Sequence, residues 1–186
     1  MVPDAETLPD TVHIHKEHAP LQLTFAVAIV STTRYAEFQN GELETDQTFP
    51  VIEEEFGKYP DYAIQVKGVL PDDIFAIREF LATHSKGDEQ VDVIILSGGT
   101  GLSAKDQTVE ACRAMLDKEI PGFGEIFRSL SYEQVGTAAM MSRSTAGIIA
   151  GIPVFCLPGS PKAVQLGLSR IILPEIAHVI YELRKE

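Results

Sequence analysis

The 186-residue chain is predicted to fold as one α/β domain, a three-layer α/β/α sandwich around a mostly parallel central sheet. Three observations support this. Short apolar segments, chiefly 23–30 and 91–96, read as strands buried on both faces. Segments of helical spacing alternate with them, as βα units require. Two apolar segments run straight into glycine-containing turns, Ser97-Gly98-Gly99-Thr100-Gly101 and Pro158-Gly159-Ser160, each ahead of a helical pattern.

In chain order, residues 1–20 read as an N-terminal tail, with Pro3, Pro9 and many polar residues, and the folded domain is assigned to 21–186. His13, His15 and His18 fall in that tail, where solvated side chains are a simpler reading than a metal site. Residues 23–30 form a first strand and 31–35 a polar loop. Phe49, Ile52 and Phe56 give helical spacing over 48–56, with Asp46 as its cap. Tyr62, Ile64, Val66 and Leu70 mark a second strand. Pro71-Asp72-Asp73 opens the next helix, placing proline and acids in its first turn ahead of Ile74, Ile77 and Leu81. After the third strand, 91–96, comes a helix with Val109, Cys112, Met115 and Leu116 inward, stopped by Pro121-Gly122. Residues 122–143 read as irregular chain and short helices. Two short strands, 146–149 and 154–157, are joined by a turn at 150–153. Residues 158–162 open another helix, and Pro174 breaks the C-terminal helical region once.

Composition narrows the function. With 27 acidic against 15 basic side chains the net charge is −12, which argues against nonspecific nucleic-acid binding. The two cysteines, Cys112 and Cys156, sit in apolar patterns without a Cys-x-x-Cys pair and read as reduced core thiols of a cytoplasmic protein. No segment reads as a membrane span, and the acidic N-terminus is unlike a signal peptide.

The glycine loops carry the chemistry. Gly98, Gly99 and Gly101 are costly in conformational entropy, which suits a backbone that must bend sharply or approach a phosphate closely. Gly99-Thr100-Gly101-Leu102-Ser103-Ala104 matches a dinucleotide fingerprint only weakly, since the nearest acid downstream, Glu119, closes a helix rather than a strand. No Walker A loop is present. Asp72 and Asp106 each have a simple reading as helix caps. Each also follows the carboxyl end of a strand, and in a parallel sheet those ends lie together, so both carboxylates can reach a Mg²⁺ ion held by phosphate oxygens. Lys105, Lys162, Arg143 and Arg34 fall in loops and offer the local positive charge that a phosphate needs on an acidic protein. The residues alone thus point to a phosphorylated ligand, with Mg²⁺.

Taken together, Ser97–Gly101 with Asp106, Pro121-Gly122-Phe123-Gly124, Met141-Ser142-Arg143 and LPGSPKA (157–163) resemble the MogA/MoaB family of molybdenum-cofactor biosynthesis proteins, over roughly residues 16–183. HKEHAP (15–20) and VSTTRY (30–35) are similar to its archaeal-type MoaB branch. The resemblance implies a trimeric α/β sandwich that adenylates molybdopterin: the pterin's terminal phosphate attacks the α-phosphate of ATP and releases pyrophosphate. It implies that Asp72 and Asp106 are the essential carboxylates and hold Mg²⁺ and phosphate. Ser97, Gly98, Gly99, Thr100, Gly101 and Lys105 would hold a nucleotide or pterin phosphate. Ser142, Arg143, Pro158, Gly159, Ser160 and Lys162 would line the same pocket from the other loop. Two departures bear on activity. Lys105 stands where the family commonly has arginine, and Asp46-Gln47-Thr48-Phe49 stands in place of its Asp-x-Ser-Gly. The alternative function is a noncatalytic molybdopterin carrier of the same family.

Overall fold

The computed structural model describes residues 20, 22–42 and 45–185. The predicted tail, with His13, His15 and His18, lies outside the described residues except for Pro20. Strands β1 (Leu23–Val30), β2 (Tyr62–Leu70), β3 (Val93–Ser97), β4 (Lys118–Glu119), β5 (Thr145–Ile149) and β6 (Ile152–Leu157) form one sheet, in the order β2-β1-β3-β6-β5-β4. The first four in that order run parallel, while β5 is antiparallel to β6 and β4 to β5. The chain steps outward from β1 to β2 and then crosses back to β3. That reversal opens a crevice at the carboxyl ends of β1 and β3.

The helices are α1 (Thr32–Gln39), α2 (Thr48–Phe56), α3 (Ile74–His84), α4 (Thr108–Arg113), α5 (Pro121–Val135), α6 (Pro161–Gly167) and α7 (Leu173–Arg184). Alternate side chains of the buried strands serve two cores. On one face Phe25, Val27, Ile95 and Leu157 pack with residues of α2, α5, α6 and α7, among them Phe56, Phe127, Val164 and Ile176. Phe25 meets Phe56 edge-on at 4.8 Å, and Phe123 meets Phe155 at 5.2 Å. On the other face the small Ala26 and Ala28, with Ile94, Leu96 and Cys156, pack against Ile77 and Leu81 of α3 and Cys112 of α4. The three layers and the mostly parallel sheet are those the sequence predicts. Cys112 and Cys156 are free and buried, and the hydrogen bond the Cys156 thiol makes to Cys112, with burial, pushes that thiol well up.

Several elements differ from expectation, each for a local reason. Residues 32–39 are helical rather than a loop, because the Ser31 hydroxyl caps the Arg34 N–H. Asp73, not Asp72, caps α3, its carboxylate accepting from the Phe75 and Ala76 N–H groups. Asp106 does not cap α4; Gln107 holds that position. Pro121 opens a helix instead of stopping one, since a proline in the first turn forfeits no hydrogen bond. The segment expected to be irregular is the 15-residue α5, followed by a 3₁₀ turn over Gly136–Met141. Glu119 therefore closes no helix and lies in the short edge strand β4. Asp46 does hold the start of α2, accepting from the Thr48 and Phe49 N–H groups at 2.9 Å each.

At Pro174 the helix widens instead of ending. Proline has no N–H for the carbonyl four residues back, and a π turn over Leu168–Ile172 precedes it, with the Leu173 N–H donating to the Leu168 carbonyl. The whole run Pro161–Arg184 is, by length and composition, long and apolar enough to cross a membrane, contrary to the sequence reading. Its Val164, Leu168, Ile172, Ile176 and Ile180 are buried against the sheet, which makes it a core element here.

Candidate active site

The carboxyl ends of β1, β2, β3 and β6 border a cleft of about 1380 Å³. Its floor is the turn after β3. Gly98 has φ +112°, and a Cβ there would sit 2.2 Å from the Val30 carbonyl oxygen at the end of β1. Gly99 has φ +60°, and a Cβ there would come within 2.3 Å of the Thr108 hydroxyl and 3.0 Å of the Asp72 carboxylate. Only glycine allows this bend and this closeness. The buried Thr108 fixes the turn from below, its hydroxyl donating to the Gly98 carbonyl (2.8 Å) and its N–H to the Gly99 carbonyl (3.0 Å).

The second glycine turn abuts the first. The Gly98 N–H donates to the Leu157 carbonyl (3.0 Å), and the Ser97 hydroxyl donates to the Pro158 carbonyl (3.3 Å). A Cβ on Gly159 would lie 3.2 Å from the Gly98 Cα. Thr48, fully buried at the start of α2, donates its hydroxyl to the Gly159 carbonyl (3.4 Å). In this segment, where the family's Asp-x-Ser-Gly is altered, Thr48 thus anchors the second turn.

The two carboxylates are held alike. Asp72 accepts on Oδ2 from the Thr32 N–H (2.8 Å) and hydroxyl (2.9 Å). Asp106 accepts on Oδ2 from the Ser103 N–H (3.0 Å) and lies over Gly101, whose absent Cβ would be 2.8 Å from that oxygen. Among the described residues, Oδ1 of each carboxylate has no hydrogen-bond partner. One oxygen orients the group and the other is left for a ligand. No cluster of three or more His, Cys, Asp or Glu side chains fit to hold a metal occurs among the described residues. A protein-only metal cage is therefore not offered, but Mg²⁺ needs only one or two carboxylates when phosphate oxygens complete its shell.

All but three of the residues singled out from the sequence line the cleft; the exceptions are Ser97, Lys105 and Arg143. Ser97 is buried beneath both turns and joins them. Lys105 is exposed on the loop, and Arg143 is engaged in a set of protein contacts. The lining instead includes Arg34, Lys162 and Arg170 against Asp72 and Asp106, so cations outnumber carboxylates there although the chain carries −12 overall. Arg34 is steadied by Asp46, Nε to Oδ1 at 3.5 Å. Arg170 and the wall formed by Phe127, Ser131, Gln134 and Val135 were missed in the sequence. Phe123, Phe127 and Leu130 keep the helical spacing that would have revealed that wall.

Residues 26–178 match the family model described as "Probable molybdopterin binding domain". The chain belongs to that molybdopterin-binding family. Its MoaB/MogA relatives share both sequence and fold. The chain is 41% identical over 177 residues to Molybdenum cofactor biosynthesis protein B of Bacillus subtilis, covering 95% of this chain and 99% of that one. It is 44% identical over 161 residues to the protein of that name from Staphylococcus carnosus, covering 86% and 90%. Among solved structures, one of Molybdenum cofactor biosynthesis protein B superposes with a TM-score of 0.80 at 35% identity, covering 91% and 100% of the two chains. The tungsten cofactor synthesizing protein MoaB from Pyrococcus furiosus gives 0.73 at 36% identity, covering 90% and 100%. These curated relatives are bacterial and do not favour the archaeal-type branch suggested by residues 15–20 and 30–35. A role in molybdenum cofactor biosynthesis follows from this membership.

Proposed function

We propose that the chain is a molybdopterin adenylyltransferase, acting on ATP and molybdopterin with Mg²⁺. The observation that carries this reading is the pair Asp72 and Asp106, each with one oxygen tied to the protein and the other free at the glycine floor of one cleft. In the proposed step the pterin phosphate oxygen bonds to the α-phosphorus of ATP, the bond to the β-phosphate breaks, and pyrophosphate leaves. Asp72 and Asp106 would hold Mg²⁺, which would supply neutralisation of charge on the transferring group. The protein's part is to orient. The Gly98–Gly101 backbone makes a close floor, and Arg34, Lys162 and Arg170 supply positive charge around it. Lys105, next to Asp106, keeps the charge of the family's arginine without its two-pronged grip.

Incubation with molybdopterin, ATP and Mg²⁺ is expected to yield AMP-linked pterin and pyrophosphate in equal amounts. Tight pterin binding without either product would replace this reading with the noncatalytic carrier. The proposal includes a cytoplasmic homotrimer. The exposed Ile126, Tyr132, Val135, Met140 and Met141 offer apolar surface for contact between copies, and a monomeric mass by light scattering would remove that part.

A further inference from the structure

Arg143 lies on the short link between the 3₁₀ turn and β5, opposite the loop that carries Asp106. Its Nε donates to the Thr100 carbonyl (3.2 Å), and Nη2 donates to the Asp106 carbonyl (3.1 Å) and to Glu110 Oε2 (3.1 Å). Nη1 donates to Glu110 Oε1. Four of the five guanidinium N–H groups are therefore spent on protein acceptors. What remains cannot grip a phosphate with two prongs.

The acceptors show what the contact is for. Thr100 and Asp106 are the two feet of a loop whose residues 101–105 are all exposed. Inside, that loop is tied only by the Ser103 N–H to Asp106 Oδ2, the Asp106 N–H to the Ser103 carbonyl (2.9 Å) and the Lys105 N–H to Ser103 Oγ (3.3 Å). Such a loop keeps its shape only if its feet are pinned, and Arg143 bridges them and anchors both to Glu110 in the first turn of α4. We infer that Arg143 is a positioning residue that clasps the feet of the 100–106 loop and acts on the reaction through Asp106, without touching the phosphates. This rests on the adenylyl-transfer reading for its kinetic consequence alone; the clasp itself is a property of the loop.

The test uses the full chain. Arg143→Lys keeps the charge but gives one compact ammonium where the planar fork reaches four acceptors. Faster hydrogen exchange of the 100–106 amides is expected, with kcat falling on the order of 100-fold, as a misplacement of about 1 Å can cause, while KM for ATP and for molybdopterin stays within about 2-fold. Glu110→Gln, which leaves Arg143 in place, is expected to speed the same exchange less. In an Asp106→Ala background, adding Arg143→Lys is expected to leave ATP affinity by calorimetry unchanged. Unaltered loop exchange, a raised KM with kcat retained, or a further loss of about 10-fold in ATP affinity in the double variant would each overturn the clasp. If the wild-type chain makes no AMP-linked pterin, the activity reading fails, and the exchange and calorimetry arms still decide the role of Arg143.

Discussion

The parallel and antiparallel halves of the sheet serve one cleft by different means. In β2-β1-β3-β6 the chain leaves every strand at the same edge, so Ser31, Asp72, Gly98 and Pro158 arrive together as a consequence of strand direction. In β6-β5-β4 the direction alternates, and no set of strand ends from that half gathers at the cleft. Instead α5 and the 3₁₀ turn lie along it as a wall, and Arg143 reaches across to the opposite loop. The parallel half thus sets where the carboxylates sit, and the antiparallel half sets how firmly one of them is held.

The largest effects are expected from the parallel half. Asp106→Ala removes a group whose only carboxylate bond among the described residues is to the exposed Ser103 N–H, so turnover should fall by about 10³-fold with urea stability almost unchanged. Asp72→Ala should lose as much activity and also about 1–2 kcal/mol of stability, because it strips the Thr32 N–H and hydroxyl of their acceptor. If Asp106→Ala unfolds the chain, that carboxylate is structural and the division between the halves is wrong.

A stability comparison sharpens the same contrast. Gly98→Ala combines φ +112° with a Cβ 2.2 Å from a carbonyl of the central strand β1, and a loss of about 3 kcal/mol or more is expected in urea denaturation. In the other half, a Cβ on Gly147 would fall 2.4 Å from the Lys118 carbonyl and 2.6 Å from the Leu116 side chain. There β4 is a two-residue exposed edge strand that can back away, so Gly147→Ala should cost about 1–2 kcal/mol. The reverse ranking would show that the edge is as rigid as the centre.

The same division governs what was legible in the sequence. The inner parallel strands β1 and β3 are buried on both faces, so 25–30 and 93–96 announce themselves as unbroken apolar runs, and glycine turns mark where β3 and β6 end. Asp72 and Asp106 were found because a parallel sheet makes strand-end position informative. Residues 118–143 obey no such rule. Lys118 and Glu119 pair only through backbone with β5, which leaves no apolar signature, and α5 begins with Pro121-Gly122-Phe123-Gly124, a poor helix sequence that packing overrides. Arg143 was legible as a cation near the site. Which acceptors would absorb its donors depended on where the 3₁₀ turn placed it.

The smallest expected effect concerns the bond that joins the halves. The hydrogen bond from Arg143 holds the Glu110 carboxyl below its ordinary value of 4.5. Below that ordinary value the unfolded chain takes up a proton at Glu110 that the folded chain still refuses. The stabilisation is therefore complete above the ordinary value and fades as pH falls through the lowered one. Because the Glu110 side chain is 50% exposed, solvent screens the pair and the contribution should be no more than about 0.5 kcal/mol. Protection of the 100–106 amides should then be level from neutral pH down to the ordinary carboxylate range and drop below it, and Glu110→Gln should remove that acid step. A step that survives in Glu110→Gln would mean that another carboxylate carries it, and that Arg143 holds the loop through the Thr100 and Asp106 carbonyls alone.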